Sequence, residues 1–377
     1  MEKYVSECSD RNVEIDCKET FSKFALDAIA TSAFGIEVDT FAEPNSVFKK
    51  MVNELERTSE SQAGSKWETF KLFLSFIVPI SKHFFDVEQI SSKAMRYFQN
   101  VLLKTIEMRR NGSVKRNDII DLVIEQQKAR ESKSRNTGET EDIEDDYDKA
   151  ASINMSDVEK VDINMDETLV SNAFLIFVAA LDTSSSTLTF AVHFLLKFPH
   201  FQDKIRDEIT EVIGDDDNIT FEQIQNLKYT ERFLLETLRN AHPFEQILER
   251  ECTKDYLIPG TNYTVRKGEV VNFTLLYEKT KNNPENLSFY NAGEFDPENF
   301  NPSNNPDSFA FFAFGQGPRN CVGRRYAMLA MKLALVHVLR NHNIIMSKNT
   351  KEDLKIFKFI AGPPVSRAEV PFYAKKI

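Results

Sequence analysis

The stretch Phe314-Gly315-Gln316-Gly317-Pro318-Arg319-Asn320-Cys321-Val322-Gly323 decides how the rest of this sequence is read. It ends a glycine-rich loop on one cysteine, Cys321, just ahead of a helical pattern over residues 324–339. A thiolate binds iron directly, so Cys321 is the candidate metal ligand. The glycines let the loop turn sharply and bring its N–H groups towards the sulfur. The helix that follows points the positive end of its dipole the same way. Arg319 is placed to pair with an anionic group of the same cofactor, and Phe314 to shield the sulfur from water. A cysteine in a glycine-rich turn is, by itself, more often structural than catalytic. Phe314, Gly317, Arg319, Cys321 and Gly323 at this spacing are far more specific.

Working outward, 377 residues suffice for one large core. The 31 phenylalanines fit an interior built around a bulky apolar cofactor, a plain aromatic core being the alternative. Cys8, Cys17, Cys252 and Cys321 have no paired spacing, which indicates neither a disulfide framework nor a zinc cage and favours reduced thiols. The best apolar stretch, residues 174–181, is too short to span a membrane and ends at Asp182. A net charge of −11 argues against nucleic acid and anionic lipid as general partners. That charge is uneven. Residues 129–166 read as a flexible acidic linker inside a single domain spanning 1–377. Residues 308–348 hold no acid, while Arg319, Arg324, Arg325, Lys332, Arg340 and Lys348 are basic. That run is either a solvated helix face or a dock for an acidic electron donor.

Helical periodicity predicts helices over residues 21–34, from 47, over 67–80, 87–108 and 118–127, then a long central helix over 167–198 closed by Pro199. Further helices follow over 201–213, 229–239 and 324–339. Between 255 and 273, β-prone runs flank the turn Ile258-Pro259-Gly260-Thr261. The expected fold class is therefore mainly α, with a small β region appended. Within the central helix Asp182-Thr183 is a polar pair in apolar surroundings, costly unless partnered. Thr183 either bonds back to a carbonyl one turn earlier or serves a proton relay. Glu236 and Arg239, three apart on one helix face, are close enough to pair.

The cysteine loop resembles the haem-binding loop of the cytochrome P-450 family, matching Phe-x-x-Gly-x-Arg-x-Cys-x-Gly. Glu236-Thr237-Leu238-Arg239 resembles that family's Glu-x-x-Arg, and Ala179-Ala180-Leu181-Asp182-Thr183-Ser184 its oxygen-binding segment. The flanks, such as Ala28-Ile29-Ala30-Thr31-Ser32-Ala33-Phe34-Gly35, are most similar to insect microsomal members that oxidise foreign chemicals. The resemblance covers the whole chain but only about the last three quarters of a family member. It thus implies a cytochrome P-450 fold without its membrane anchor and its early Trp-x-x-x-Arg helix.

The resemblance implies roles residue by residue. Cys321 would be the iron ligand of haem b, with Arg319 and Arg250 on the propionates and Ala179 and Ala180 beside the oxygen groove. Thr183 and Asp182 would deliver protons during oxygen activation. Ala180 stands where the family has glycine, which narrows the groove. Glu236 and Arg239 would form a buried pair, completed by Asn299 where the family has arginine. Asn299 offers one hydrogen bond to either partner but no charged fork, a loss on the order of 1–3 kcal/mol. Phe174, Phe177, Val178, Ile247, Leu248 and residues 359–363 would touch an apolar small-molecule substrate. The activity implied is a haem-thiolate monooxygenase using NADPH through a reductase, with cytochrome b5 as an optional donor. Its place would be the cytosolic face of the endoplasmic reticulum, with peripheral membrane contact. The alternative is a catalytically inactive haem-binding relative.

Overall fold

The computed structural model describes residues 1–54, 92–112, 115–122, 124, 125, 128, 165–243, 247–274, 291, 293–304, 311–351 and 370–377. The acidic segment 129–164, the helix expected over 67–80 and the turn 359–363 lie outside the described residues, as do the side chains of Ile247 and Leu248. Residues 165 and 166, expected to close the linker, instead open the long helix.

The chain opens with α1 (Glu2–Asp10), a short strand β1 (Ile15–Asp16) and α2 (Cys17–Phe34). Both ends of α2 are set locally. The Asp16 side chain accepts from the Glu19 N–H at 2.7 Å, and Gly35 closes the helix at a φ of 59°. A side chain at Gly35 would run into the Arg109 guanidinium, which is buried between Asp118 and Asp121. A helix occupies residues 47–54, and α3 (Ser92–Arg110) follows.

The longest element is α4 (Met165–Lys197). It is succeeded by α5 (His200–Val212), α6 (Phe221–Asn226) and α7 (Lys228–Asn240). The section from Val170 to Lys197 is long and apolar enough to cross a membrane by length and composition, more than residues 174–181 alone suggested. It is the core helix here, and most of that section is buried.

Two hydrophobic clusters share α4. Its first half packs with α2 and α3, where Phe98 meets Phe174 and Phe177 at ring-centroid distances of 6.2 and 4.9 Å. Its second half packs with α5, α7 and α8 (Arg324–Leu339). Each fully buried large side chain in these clusters contributes roughly 1.5–3 kcal/mol.

The β region is small, as the short β-prone runs between 255 and 273 predict. β2 (Ile247–Glu251) pairs antiparallel with β5 (Val270–Thr274), and β3 (Tyr256–Leu257) with β4 (Thr264–Val265) around the expected turn. Sequence periodicity gave no sign of the third sheet, in which β7 (Pro371–Lys376) lies between β1 and β6 (His342–Met346). It pairs Ile15 with Phe372, joining the start of α2 to the last strand.

Candidate functional site

Cys321 sits on a loop shaped by its own backbone. Gly315 and Gly317 adopt φ values of 72° and 74°, in the left-handed region that other residues enter at a cost. The Cys321 N–H donates to the Phe314 carbonyl at 2.7 Å, closing the loop beneath the thiol. A Cβ on Gly323 would lie 3.9 Å from Cys321 Sγ, so glycine keeps that side of the sulfur clear. Phe314 packs against the larger core cluster, and the Arg324 guanidinium stands 5.6 Å from its ring. The thiol itself is exposed, and its neighbour Val322 is 93% exposed.

The donor set around this thiol fits a haem. No group of three or more His, Cys, Asp or Glu able to hold a metal ion occurs among the described residues. A single sulfur therefore suits a metal that arrives with its other ligands, as in a macrocycle. The open apolar Val322 beside the thiol suits its flat face, and the exposed Arg319 guanidinium suits an anionic edge. Arg250 lies on β2 opposite Val271 and is half-buried.

Cys321 is linked to the centre of α4 through the first turn of α8. Tyr326 packs against the cluster that takes in Val178 and Ala180. It also accepts a hydrogen bond from Ser32 at 3.3 Å, and burial raises its phenol pKa against that bond. On α4 the hydroxyls turn back onto the helix. Thr183 Oγ1 donates to the Ala179 carbonyl at 2.7 Å, and Thr187 Oγ1 to the Thr183 carbonyl at 2.8 Å. The helix is unbroken across them. Asp182 turns the other way, onto Lys18 of α2, whose Nζ lies 2.5 Å from Asp182 Oδ1. Neighbouring helical side chains diverge by about 100°, so the two members of the pair face different sides.

The α4 residues expected to touch substrate occupy one side of that helix. Phe174 and Phe177 are 8% and 4% exposed, built into the aromatic core with Phe48 and Phe98. Val178 packs against the same cluster. The open side of α4 is instead Leu175, 64% exposed, followed by Ala179 and Thr183 at four-residue spacing. Periodicity alone offers this stripe as readily as the phenylalanine one, because both are apolar and lie on one helix.

The polar cluster expected from Glu236, Arg239 and Asn299 is assembled and entirely buried. Arg239 holds Glu236 in a fork, Nε to Oε2 at 2.7 Å and Nη2 to Oε1 at 2.6 Å. Asn299 Nδ2 donates to Glu236 Oε1 at 3.2 Å, while its Oδ1 accepts from the Asn291 N–H at 2.6 Å. Two donors were missed in the sequence: Asn240 Nδ2 at 3.0 Å and the Asp296 N–H at 2.9 Å, both on Glu236 Oε1. Arg239 Nη2 also reaches the Glu294 carbonyl at 2.9 Å. Burial raises the Glu236 pKa, and the Arg239 bonds oppose that shift. Side-chain amides and backbone thus occupy the places that a second guanidinium would fill.

The basic run after residue 308 divides in two. Lys332 is buried and paired with Glu231 at 2.6 Å, and Arg340 donates to the Gly214 carbonyl at 2.7 Å. Arg319, Arg324, Arg325 and Lys348 remain at the surface. His242 is also committed, its Nε2 lying 2.9 Å from the Ala313 carbonyl just ahead of the cysteine loop.

A family model described as cytochrome P-450 matches residues 1–368 of the chain. Cytochrome P-450 9e2 of Blattella germanica is 31% identical over 351 residues, 91% of this chain and 60% of that protein. Probable cytochrome P-450 6d4 of Drosophila melanogaster is 28% identical over 345 residues, 90% of this chain and 62% of that protein. Cytochrome P-450 6k1 of Blattella germanica is 29% identical, with 94% of this chain and 64% of that protein aligned. The chain thus spans about three fifths of the length of these relatives.

Proposed function

The chain belongs to the cytochrome P-450 family, and from that premise we propose that it serves as a haem-thiolate monooxygenase. The reaction inserts one oxygen atom of O2 into an apolar small molecule, such as a foreign chemical or an endogenous lipid, and reduces the other to water. The observation that carries this reading is the exposed Cys321 thiol on its glycine-shaped loop at the start of α8. Cys321 would hold haem b, with Arg319 and Arg250 taking its carboxylates. Once bound, the haem supplies oxygen activation, and the thiolate ligand favours O–O cleavage.

The protein's own groups do the rest. The Cys321 N–H bond to the Phe314 carbonyl fixes the loop, and Phe314 would shield one side of the sulfur from water. Leu175 and Ala179 offer an apolar surface to substrate. Thr183 Oγ1 holds a proton on the Ala179 carbonyl at rest and passes it on when that bond turns outward. Asp182 resupplies it. Electrons come from NADPH through a flavoprotein reductase, with cytochrome b5 as a second donor, docked against Arg324 and Arg325. The cytosolic face of the endoplasmic reticulum suits this partnership.

The test is Cys321→Ser in protein reconstituted with haem. The parent should give the thiolate-type carbon monoxide spectrum on reduction and form product with reductase and NADPH. The variant should lose both, and an unchanged spectrum would sink the assignment. A haem-binding relative without turnover is the second reading. It is favoured by the commitment of both relay groups, Thr183 to the Ala179 carbonyl and Asp182 to Lys18. Product measured directly, rather than NADPH consumed, separates the two.

A further inference from the structure

Where α4 gives way to α5, three phenylalanine rings lie nearly parallel and only half-buried. Phe194 is in the last turn of α4 and Phe198 directly follows that helix. Both stack on Phe295, at ring-centroid distances of 4.1 and 5.9 Å and interplanar angles of 20° and 17°. With Phe201 they wall a cleft of about 610 Å³, within the range of small-molecule pockets. None of its lining residues belongs to the Cys321 loop or to the stripe of Leu175, Ala179 and Thr183.

The charges in the cleft are of both signs, and they are committed differently. Among the described residues, the ammonium groups of Lys197 and Lys204 make no ion pair or hydrogen bond. They lie over rings instead, Lys197 at 5.8 Å from the Phe198 centroid and Lys204 at 5.9 Å from Phe201 and 5.6 Å from Tyr229. Lys197 also suits the C-terminal dipole of α4, whereas Lys204, in the second turn of α5, has no such local reason. The two acids are turned elsewhere. Asp296 Oδ1 accepts from the Glu298 N–H at 3.0 Å, and Glu294 Oε2 accepts from Asn291 Nδ2 at 3.4 Å. The Asn240 amide is spent on Glu236. The cleft thus offers flat apolar faces with two free cations at their margin.

We propose that this cleft binds a flat aromatic anion, such as an aryl carboxylate, at a site distinct from that of Cys321. The ligand's ring system lies against Phe194, Phe198 and Phe295 and removes their exposed faces from water. Its acidic group reaches Lys197 and Lys204, which exchange water for charge-assisted bonds. The cleft also shares a wall with the buried Glu236 cluster. On either side of Phe295, the Glu294 carbonyl accepts from Arg239 at 2.9 Å and the Asp296 N–H donates to Glu236 at 2.9 Å. A ligand that holds Phe295 against the end of α4 therefore supports that cluster and stabilises the chain as its concentration rises. The proposal draws on neither haem nor turnover, so it stands or falls apart from the monooxygenase reading.

Equilibrium dialysis of naphthoate against the full chain tests it, with naphthylmethanol and naphthylmethylamine as neutral and cationic counterparts. The acid should fill one saturable site, and its counterparts should bind about tenfold more weakly, the scale of one hydrogen bond to a charged group. Changing Lys197→Met together with Lys204→Met keeps both apolar stems and should weaken the acid about tenfold while leaving the alcohol unaffected. Either change alone should act in the same direction. Both side chains are exposed, so the ligand-free melting temperature should stay near that of the parent. Naphthoate should raise the melting temperature of the parent more than that of the double variant. Affinity for the acid that ignores the two lysines would overturn the proposal. So would an amine that binds as tightly as the acid, since Glu294 and Asp296 would then be the groups that recognise it. A chain with no saturable site for naphthoate would overturn it outright.

Discussion

The Glu236 cluster and the Cys321 loop are both built from polar groups that the fold has gathered, and they differ in where their hydrogen bonds end. At Glu236 every donor finds an acceptor inside the chain, and Glu236 and Asn299 are fully buried. At Cys321 the backbone is closed by the bond to Phe314, yet the thiol, Arg319 and Val322 all face outward. A buried carboxylate must be satisfied by the protein because water is absent. An exposed thiol flanked by an apolar residue and a guanidinium leaves its sulfur open to a partner from outside the chain. The first region is closed within the fold, and the second is left open, as the proposed haem site requires.

The strongest attempt to break this comparison is Arg239→Ala. It leaves Glu236 buried without its cation and should lower stability by about 3–5 kcal/mol in chemical denaturation. A loss well under 1 kcal/mol would mean that the amide and backbone donors carry the site alone. Gly317→Ala probes the opposite region, forcing a side chain into a φ of 74° at an estimated cost of about 1 kcal/mol. Its main effect should be weaker haem retention during gel filtration with little change in the melting temperature of the haem-free chain. Equal losses in both would show that the loop serves the fold as much as the ligand.

Asp27 sharpens the comparison most finely, being a carboxylate only half-withdrawn from water. It accepts from the Thr40 N–H at 3.1 Å, and burial pushes its pKa up from 3.8 to about 6. A carboxyl that holds its proton more tightly when folded stabilises the protein as pH falls through that window. The parent should therefore gain melting temperature relative to Asp27→Asn between about pH 6 and 4, and parallel curves would refute the shift.

Much of this was legible in the sequence, for identifiable reasons. The helices over 324–339 and 229–239 carry strong apolar periodicity and appear within a residue of the expected bounds. Glu236 and Arg239 pair because helical spacing alone brings them together. Lys18 was invisible, since its partner lies 164 residues away and a lysine in an amphipathic helix looks like solvent-facing decoration. The donors from Asn240 and Asp296 were hidden similarly, one being a generic amide and the other backbone. Phe174 and Leu175 show why apolar character does not fix which way a helical residue faces. Adjacent residues of one helix were sent respectively into the core and out to the open side by the packing of α3.

The small sheet that pairs Ile15 with Phe372 has a consequence for how the molecule is made. Strand β7 leaves the ribosome long after β1, and until it arrives β1 lacks its partner in the sheet. The start of α2 then rests on its own cap and on the packing of Cys17 and Phe21 against the core, without the support of that sheet. The pairing of β1 with β7 is thus a late event, waiting on closure of the long loop between Ile15 and Phe372. A nascent chain can form its helices early and still lack the sheet that braces the start of α2 until β7 emerges.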